Sequence, residues 1–457
     1  MKVLFLSSEI APFAKTGGMA DVAGSLPPEL ARLGVEVIAA MPRYRGLPAG
    51  TAWRSGVPVW FIENEAFFNR ASLYGDARGD YPDNLGRFAF FCRRALALAE
   101  EKGFKPDLVH VNDWQTALVP LFLKEDKRPF FKKTRSLLTI HNLAYQGVFA
   151  HRHFPELGLP QDRFSVHCLE FWGRINLLKG GLVSADALNT VSPTYAREIQ
   201  THQFGEGLDG VLRQRADRLK GILNGIDAGL WNPRTDKNLE ARFDARALEK
   251  KTLCKTDLQT RLKLETDPGI PLFGIVSRLA EQKGLDLFTE IADRFLARRV
   301  QLVVLGEGDA AYHTAFKNIA TRHPKNTHVR LGFDAEESHR IYAGCDFFLM
   351  PSYFEPCGLG QMISLRYGTV PVARRTGGLA DTVVDASDAK RGNGLLFDGR
   401  TGDGLWKALE RSLGLYADGP RLAALRRRGM QADYSWNHSA GDYVKYYKDI
   451  IGGRKRS

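Results

Sequence analysis

Two basic loops hold most of the chemistry open to this chain. The first, Lys15-Thr16-Gly17-Gly18-Met19-Ala20-Asp21, follows a short apolar run and opens a helix-like stretch. Paired glycines let backbone pass close to a ligand, and N–H groups at a helix start bind anions. Lys15 adds a point charge able to reach a phosphate. The spacing is neither G-x-G-x-x-G nor a Walker loop, so a dinucleotide or ATP reading is not supported. A plain βα turn with a surface lysine competes. The second loop is Ser277-Arg278-Leu279-Ala280-Glu281-Gln282-Lys283-Gly284. Arg278 and Lys283 share the carboxyl end of a strand, the edge where open α/β sheets bind ligands. Two fixed cations there would neutralise a diphosphate and stabilise it as it departs, with no metal. Two solvated basic residues flanking a helix start are the bland alternative.

Three further loops carry polar tips. Glu355-Pro356-Cys357-Gly358-Leu359-Gly360 sets a carboxylate beside a glycine-rich turn. An acid cannot favour phosphate, so it is expected to accept hydrogen bonds from sugar hydroxyls, unless it only complements a helix dipole. Thr376-Gly377-Gly378-Leu379 is another glycine pair, expected to offer backbone donors. His141 to Gly147 and Asn112-Asp113-Trp114 each end a strand with polar and aromatic residues suited to a sugar. His151 and His153 alternate in a loop without a carboxylate or cysteine to complete a ligand set. No Gly-x-Ser-x-Gly elbow is present.

These loops need strands and helices to hold them. Val3–Leu6, Val35–Ala40, Leu108–Val111 and Ser136–Ile140 read as strands, and Ala20–Leu33 as a helix despite Pro27 and Pro28. The rhythm restarts at Pro271–Ser277, Gln301–Leu305, Asp346–Met350 and Val370–Ala373, with a helix over Leu285–Phe295. Alternation of this kind predicts parallel sheets covered by helices. The polar stretch Asn232–Asp267 predicts a hinge near residues 230–270. Two open sheets in series imply a cleft between them.

The 457 residues are 44% hydrophobic and 25% charged, as in an ordinary globular protein. No stretch approaches the roughly 18 apolar residues of a membrane span, and Met1–Leu6 is too short for a signal peptide. The five cysteines are scattered without a Cys-x-x-Cys pair, which excludes a disulfide framework or zinc cluster and predicts a reducing cytoplasm. The net charge of +12 predicts an anionic partner. Aromatics do not interleave with a basic stripe, so a nucleic-acid platform is not expected. The basic tail Gly453–Arg456 reads as a solvated end.

Together these strings resemble the bacterial glycogen synthase and plant starch synthase family. The matching segments are Lys15–Val22, His141–Gly147, Val191–Ala196, Leu223–Asp227, Ser277–Leu279, Gln282–Asp286, Glu355–Leu359, Arg366–Val370 and Arg374–Thr382. They run in family order, and Tyr434-Ser435-Trp436 fits near the end. The resemblance implies an α/β, GT-B fold: two Rossmann-like domains facing each other across a deep cleft. The domains would be residues 1–232 and 233–435, with a C-terminal helix, about 436–457, returning to the first. It implies transfer of glucose from ADP-glucose to the non-reducing end of an α-1,4-glucan, glycogen or a malto-oligosaccharide. Anomeric configuration would be retained, with no metal or other cofactor and no nucleic-acid or membrane partner.

By the same likeness, Lys15, Arg278 and Lys283 hold the diphosphate, assisted by Gly17, Gly18, Thr376 and the Gly377-Gly378 backbone. Asp113, His141, Asn224 and Glu355 surround the transferred glucose, beside Cys357, Gly358, Leu359 and Gly360. Asp21 lies near the donor, and Phe333 stands where the family often has a tyrosine against the base. Three departures stand out: Gly360 replaces a usual Thr or Asn, Ile363 a tyrosine, and Tyr353 a frequent arginine. The alternatives are a GT-B transferase using UDP-glucose or a shorter acceptor, and a non-catalytic glucan-binding scaffold.

Overall fold

The computed structural model describes residues 1–76 and 78–453. The chain forms two compact units: unit 1 is Met1–Gly225 with the C-terminal segment from Trp436, and unit 2 is Ile226–Ser435. The basic tail at 454–456 lies outside the described residues.

Unit 1 is built on an eight-stranded sheet. Its strands are β1 (Lys2–Leu6), β2 (Glu36–Pro42), β3 (Thr51–Arg54), β4 (Val57–Ile62), β5 (Leu108–Asn112), β6 (Arg135–Ile140), β7 (Ala187–Thr190) and β8 (Leu219–Gly221). Their order is β8-β7-β6-β5-β1-β2-β4-β3. All neighbours are parallel except the β3–β4 pair. Strands buried on both faces need apolar runs, which is why Val3–Leu6 and Leu108–Val111 are legible in the sequence. Chain order reverses between β1 and β5, and a ligand site in such a sheet sits beyond the carboxyl ends at that switch. The loops leaving those two strands carry Lys15 to Gly18 and Asp113.

The first helix spans Gly18–Arg32 with Pro27 and Pro28 inside it. Proline removes a backbone donor to the carbonyl four residues back. Arg54 repairs one such loss: its Nε donates to the Gly24 carbonyl at 3.2 Å, the acceptor that Pro28 cannot serve.

The last helix, Trp436–Ile451, completes unit 1. Its tyrosines are buried against the sheet. Tyr447 Oη is 2.6 Å from His110 Nδ1 on β5, and Tyr443 Oη accepts from Asn189 Nδ2 on β7 at 2.9 Å. Tyr446 donates to the Leu188 and Arg218 carbonyls. Burial pushes the His110 pKa down to about 3, so this anchor stays uncharged.

Unit 2 holds a six-stranded, all-parallel sheet. Its strands are β9 (Leu272–Val276), β10 (Gln301–Gly306), β11 (Thr327–Leu331), β12 (Phe347–Met350), β13 (Val370–Arg374) and β14 (Leu395–Phe397). The order is β11-β10-β9-β12-β13-β14, with the switch between β9 and β12. The helix Leu285–Leu296 lays Phe288 and Phe295 on this sheet, beside Phe273 and Phe347. The polar stretch 232–267, expected as a hinge, belongs to unit 2 and carries the helix Lys251–Arg261. One of its charges is buried and paired: Lys255 Nζ lies 2.6 Å from Asp346, which also meets Arg426 at 2.6 Å.

Candidate functional site

Each unit gathers its candidate residues at the carboxyl edge of its own sheet. In unit 1, Asp113 follows β5 and opens the short helix Asp113–Thr116. Its φ of 53° is left-handed, which is uncommon outside glycine and marks a position held by its surroundings. Its buried carboxylate accepts from the His141 backbone N–H at 2.7 Å. Burial raises its pKa to about 7, against the pull of the His141 and Asn142 N–H groups, and the Glu9 carboxylate adds to the rise.

His141 follows β6. Its Nε2 lies 2.8 Å from Asn112 Oδ1, while Asn112 Nδ2 donates to the Leu6 carbonyl at 2.8 Å. That second bond fixes the amide orientation, so Nε2 carries the proton and Nδ1 is the acceptor. Burial lowers the His141 pKa to about 3, keeping the ring neutral. Asn224, beyond β8, is buried, and its Oδ1 has no hydrogen-bond partner among the described residues.

The Lys15 loop is half open. Lys15 Nζ pairs with Asp21 at 2.7 Å, and both side chains are partly exposed. Gly17 caps the first helix in an extended conformation. A Cβ on Gly17 or Gly18 would meet nothing within 4 Å, so packing does not require glycine at either. Glu9, which the sequence reading passed over, holds this loop. It is buried, accepts from the Thr16 N–H and hydroxyl, and takes the Tyr74 hydroxyl at 2.5 Å. The only hint in the sequence is a carboxylate directly after the strand and Ser7-Ser8.

In unit 2, Lys283 Nζ lies 2.7 Å from Glu355 Oε2, which also takes the Ser352 hydroxyl at 3.0 Å. Glu355 is only 5% exposed. The loops that carry this pair leave β9 and β12, and they are stitched together. Tyr353 N–H donates to the Gln282 carbonyl at 2.9 Å, and Gln282 Nε2 to the Phe354 carbonyl at 3.2 Å. Gly284 is left-handed, and a Cβ there would lie 2.3 Å from the Pro351 carbonyl oxygen. Arg278, on the same loop, is exposed, with its Nη2 3.3 Å from Gln282 Oε1. Arg374 is a second residue the sequence reading gave no role. It is buried and donates to the Ser352 and Tyr353 carbonyls, fixing the loop that presents Glu355.

The second glycine pair serves packing. A Cβ on Gly377 would lie 2.0 Å from the Glu355 carbonyl oxygen, and one on Gly378 2.0 Å from that of Cys357. The Gly378 N–H, expected to serve a ligand, is instead committed to the Glu355 carbonyl at 3.0 Å and that of Pro356 at 3.2 Å. Thr376 caps the helix Gly377–Thr382 that presses on this loop. Cys357 is buried, Gly358 is left-handed, and Leu359 precedes the helix that Gly360 opens. A Cβ on Gly360 would crowd the Phe348 ring at 3.0 Å and the Tyr342 hydroxyl at 3.4 Å. Those two rings give a steric reason for the missing hydroxyl or amide. Tyr353 bonds to Asp286, and the Arg400 guanidinium lies 5.5 Å from its ring, so a cation still stands beside this position. Phe333, on the loop after β11, is 76% exposed.

All five cysteines are buried and unbridged. Among the described residues, no helix is long and apolar enough to cross a membrane.

Comparison with known proteins sharpens this picture. Residues 2–214 match the model of the starch synthase catalytic domain, and residues 259–427 that of the glycosyl transferases group 1. The chain is 47% identical to the glycogen synthase of Geotalea uraniireducens, with both chains covered in full. It is also 47% identical to that of Myxococcus xanthus, over 99% of this chain and all of the other. Among solved structures, the catalytic domain of starch synthase IV from Arabidopsis thaliana, bound to ADP and acarbose, superposes with a TM-score of 0.90. It is 35% identical over 98% of this chain and 99% of that one. Sucrose-phosphate synthase from Thermosynechococcus elongatus shares the fold alone, with a TM-score of 0.67 at 18% identity over 99% of this chain and 100% of that one.

Proposed function

The chain belongs to the glycogen and starch synthase family, and from that premise we propose that it lengthens an α-1,4-glucan with glucose drawn from ADP-glucose. It is a glucosyltransferase of GT-B fold, with a nucleotide-sugar donor and a glucan acceptor. The choice of ADP is supported by a starch synthase relative whose structure carries ADP. Five unbridged cysteines support a reducing compartment, the cytoplasm.

The observation that carries the reading is the Lys283–Glu355 pair beside Arg278, at the switch of the unit 2 sheet. Breaking the anomeric C–O bond builds positive charge on the sugar and negative charge on the departing diphosphate. In this reading Arg278 and Lys283 stabilise that diphosphate, and Lys15 with the backbone at Gly17 and Gly18 is a further phosphate-binding element. Each such fixed donor is typically worth about 10²–10³ in rate. Glu355, held by Lys283 and Ser352, accepts from the sugar hydroxyls. Asp113, Asn224 and neutral His141 line the glucose, and the His141 carbonyl supports the face opposite the leaving group. Attack from the leaving-group side then retains configuration. Phe333 stacks on the base, where a phenyl ring serves as well as a phenol.

The test is product analysis with ADP-glucose, UDP-glucose and a labelled malto-oligosaccharide primer. The expected result is a primer longer by α-1,4-linked glucose from ADP-glucose. Preferential use of UDP-glucose would replace the donor assignment, and no extension from either would remove the catalytic reading.

A further inference from the structure

Trp172 is 83% exposed, the largest exposure among the large hydrophobic side chains, yet its backbone is locked. Its φ of 54° is left-handed, a region bulky side chains rarely occupy. It tips the hairpin of Glu170–Phe171 and Arg174–Asn176. Beneath it the Gly173 N–H donates to Glu170 Oε1 at 2.8 Å, and Lys179 Nζ donates to the Glu170 carbonyl. Gly207 lies beside the hairpin: a Cβ there would sit 3.1 Å from the Phe171 ring and 3.9 Å from Trp172 Nε1.

This hairpin is bolted to the loop that begins at His141. Arg174–Asn176 pairs antiparallel with Val148–Ala150, which continues directly from Gly147. Asn176 Nδ2 donates to Gln146 Oε1 at 2.6 Å, and the Leu177 and Leu178 N–H groups donate to the Gly147 and Gln146 carbonyls at 3.0 Å. The same loop presents Tyr145, which is 52% exposed. Asn176 lies four positions after Trp172, past the left-handed turn at Trp172-Gly173, so the two stand at most about 13 Å apart, the length of a few linked hexoses.

We propose that Trp172, with Tyr145, forms a ledge for the acceptor glucan, stacking on a glucose residue a few units behind the reacting end. The inference rests on the reading above, which puts glucose beside His141. A pyranose presents a C–H face to the negative face of an indole, and the indole N–H can reach a sugar hydroxyl. A neutral, flexible polymer gains little from charge and much from a broad aromatic surface carried on a backbone that is already held in place.

Trp172→Ala and Trp172→Phe in the full chain test this, with glycogen, maltoheptaose and maltose as acceptors under saturating nucleotide sugar. The alanine variant is expected to raise KM for glycogen and maltoheptaose about five- to tenfold, leaving KM for maltose within about twofold and kcat and donor KM unchanged. Phenylalanine is expected to restore most of the loss. Retention of the alanine variant in a glycogen-containing native gel is expected to fall in parallel. An unchanged glycogen KM, an equal shift for maltose, or a change only in sedimentation, as for a dimer contact, would overturn the ledge. If the unmodified protein extended no glucan, the synthase reading would fail instead, and gel retention would still decide for or against Trp172.

Discussion

Lys283 Nζ lies 2.7 Å from Glu355 Oε2, joining the two loops that leave the central strands of the unit 2 sheet. The pair is largely buried, whereas Arg278 on the same loop is exposed. The two cations therefore differ in what their removal does. A buried carboxylate stripped of its cation is costly, while an exposed guanidinium leaves little behind.

Lys283→Ala is accordingly expected to lower kcat by about 10²–10³ and also to lower Tm. Arg278→Ala is expected to lower kcat comparably at unchanged Tm. Retention on glycogen stays intact in both. Steady-state kinetics and thermal melts check this, and full turnover by Lys283→Ala would contradict the leaving-group role.

Asp113 titrates near pH 7 in the fold because it is buried, against about 4 for a free carboxyl. Between those values the native state binds more protons than the unfolded chain, so stability falls as pH rises through this window. The loss is complete above pH 7 and reaches at most about 4 kcal/mol. Asp113→Asn is expected to flatten the fall in Tm between pH 5 and pH 8. Parallel Tm profiles for the two proteins would show that Asp113 does not titrate there.

His141 remains neutral down to about pH 3, with Nε2 protonated toward Asn112. Asn112→Asp would set a carboxylate at the same 2.8 Å and favour the imidazolium. Nitrogen-15 NMR of labelled histidine is expected to show a new titration near neutrality in the variant. No change in the His141 signals would mean the Asn112 contact does not set its charge.

The two glycine pairs should separate cleanly. Alanine at Gly377 or Gly378 drives a methyl into a carbonyl at 2.0 Å, for a loss of about 1–3 kcal/mol or more. Alanine at Gly17 or Gly18 meets nothing within 4 Å, so Tm should hold while KM for the nucleotide sugar rises. Equal Tm losses at both pairs would refute the distinction.

That contrast also marks how far the sequence could be read. Both glycine pairs open helices after strands, and local pattern treats them alike. Only the Glu355 and Cys357 carbonyls, brought in by another loop, reveal that Gly377 and Gly378 serve close packing. Glu9 and Arg374 escaped for the same reason: their partners, Thr16, Tyr74, Ser352 and Tyr353, are set by tertiary contact. The buried strands were legible because a strand covered on both faces must be apolar along its length. Within 232–267, the burial of Lys255 against Asp346 leaves no mark in composition.

The helix Trp436–Ile451 is the final described element of the chain, yet its tyrosines bond to β5 and β7 of the first unit. Unit 2 is thus an insertion within a discontinuous domain. During synthesis, roughly the first half of the chain emerges lacking the piece that covers His110 and Asn189. The inserted domain has all its residues before that piece leaves the ribosome. A stop codon near residue 430 would thus damage the amino-terminal unit, hundreds of positions upstream of the lesion.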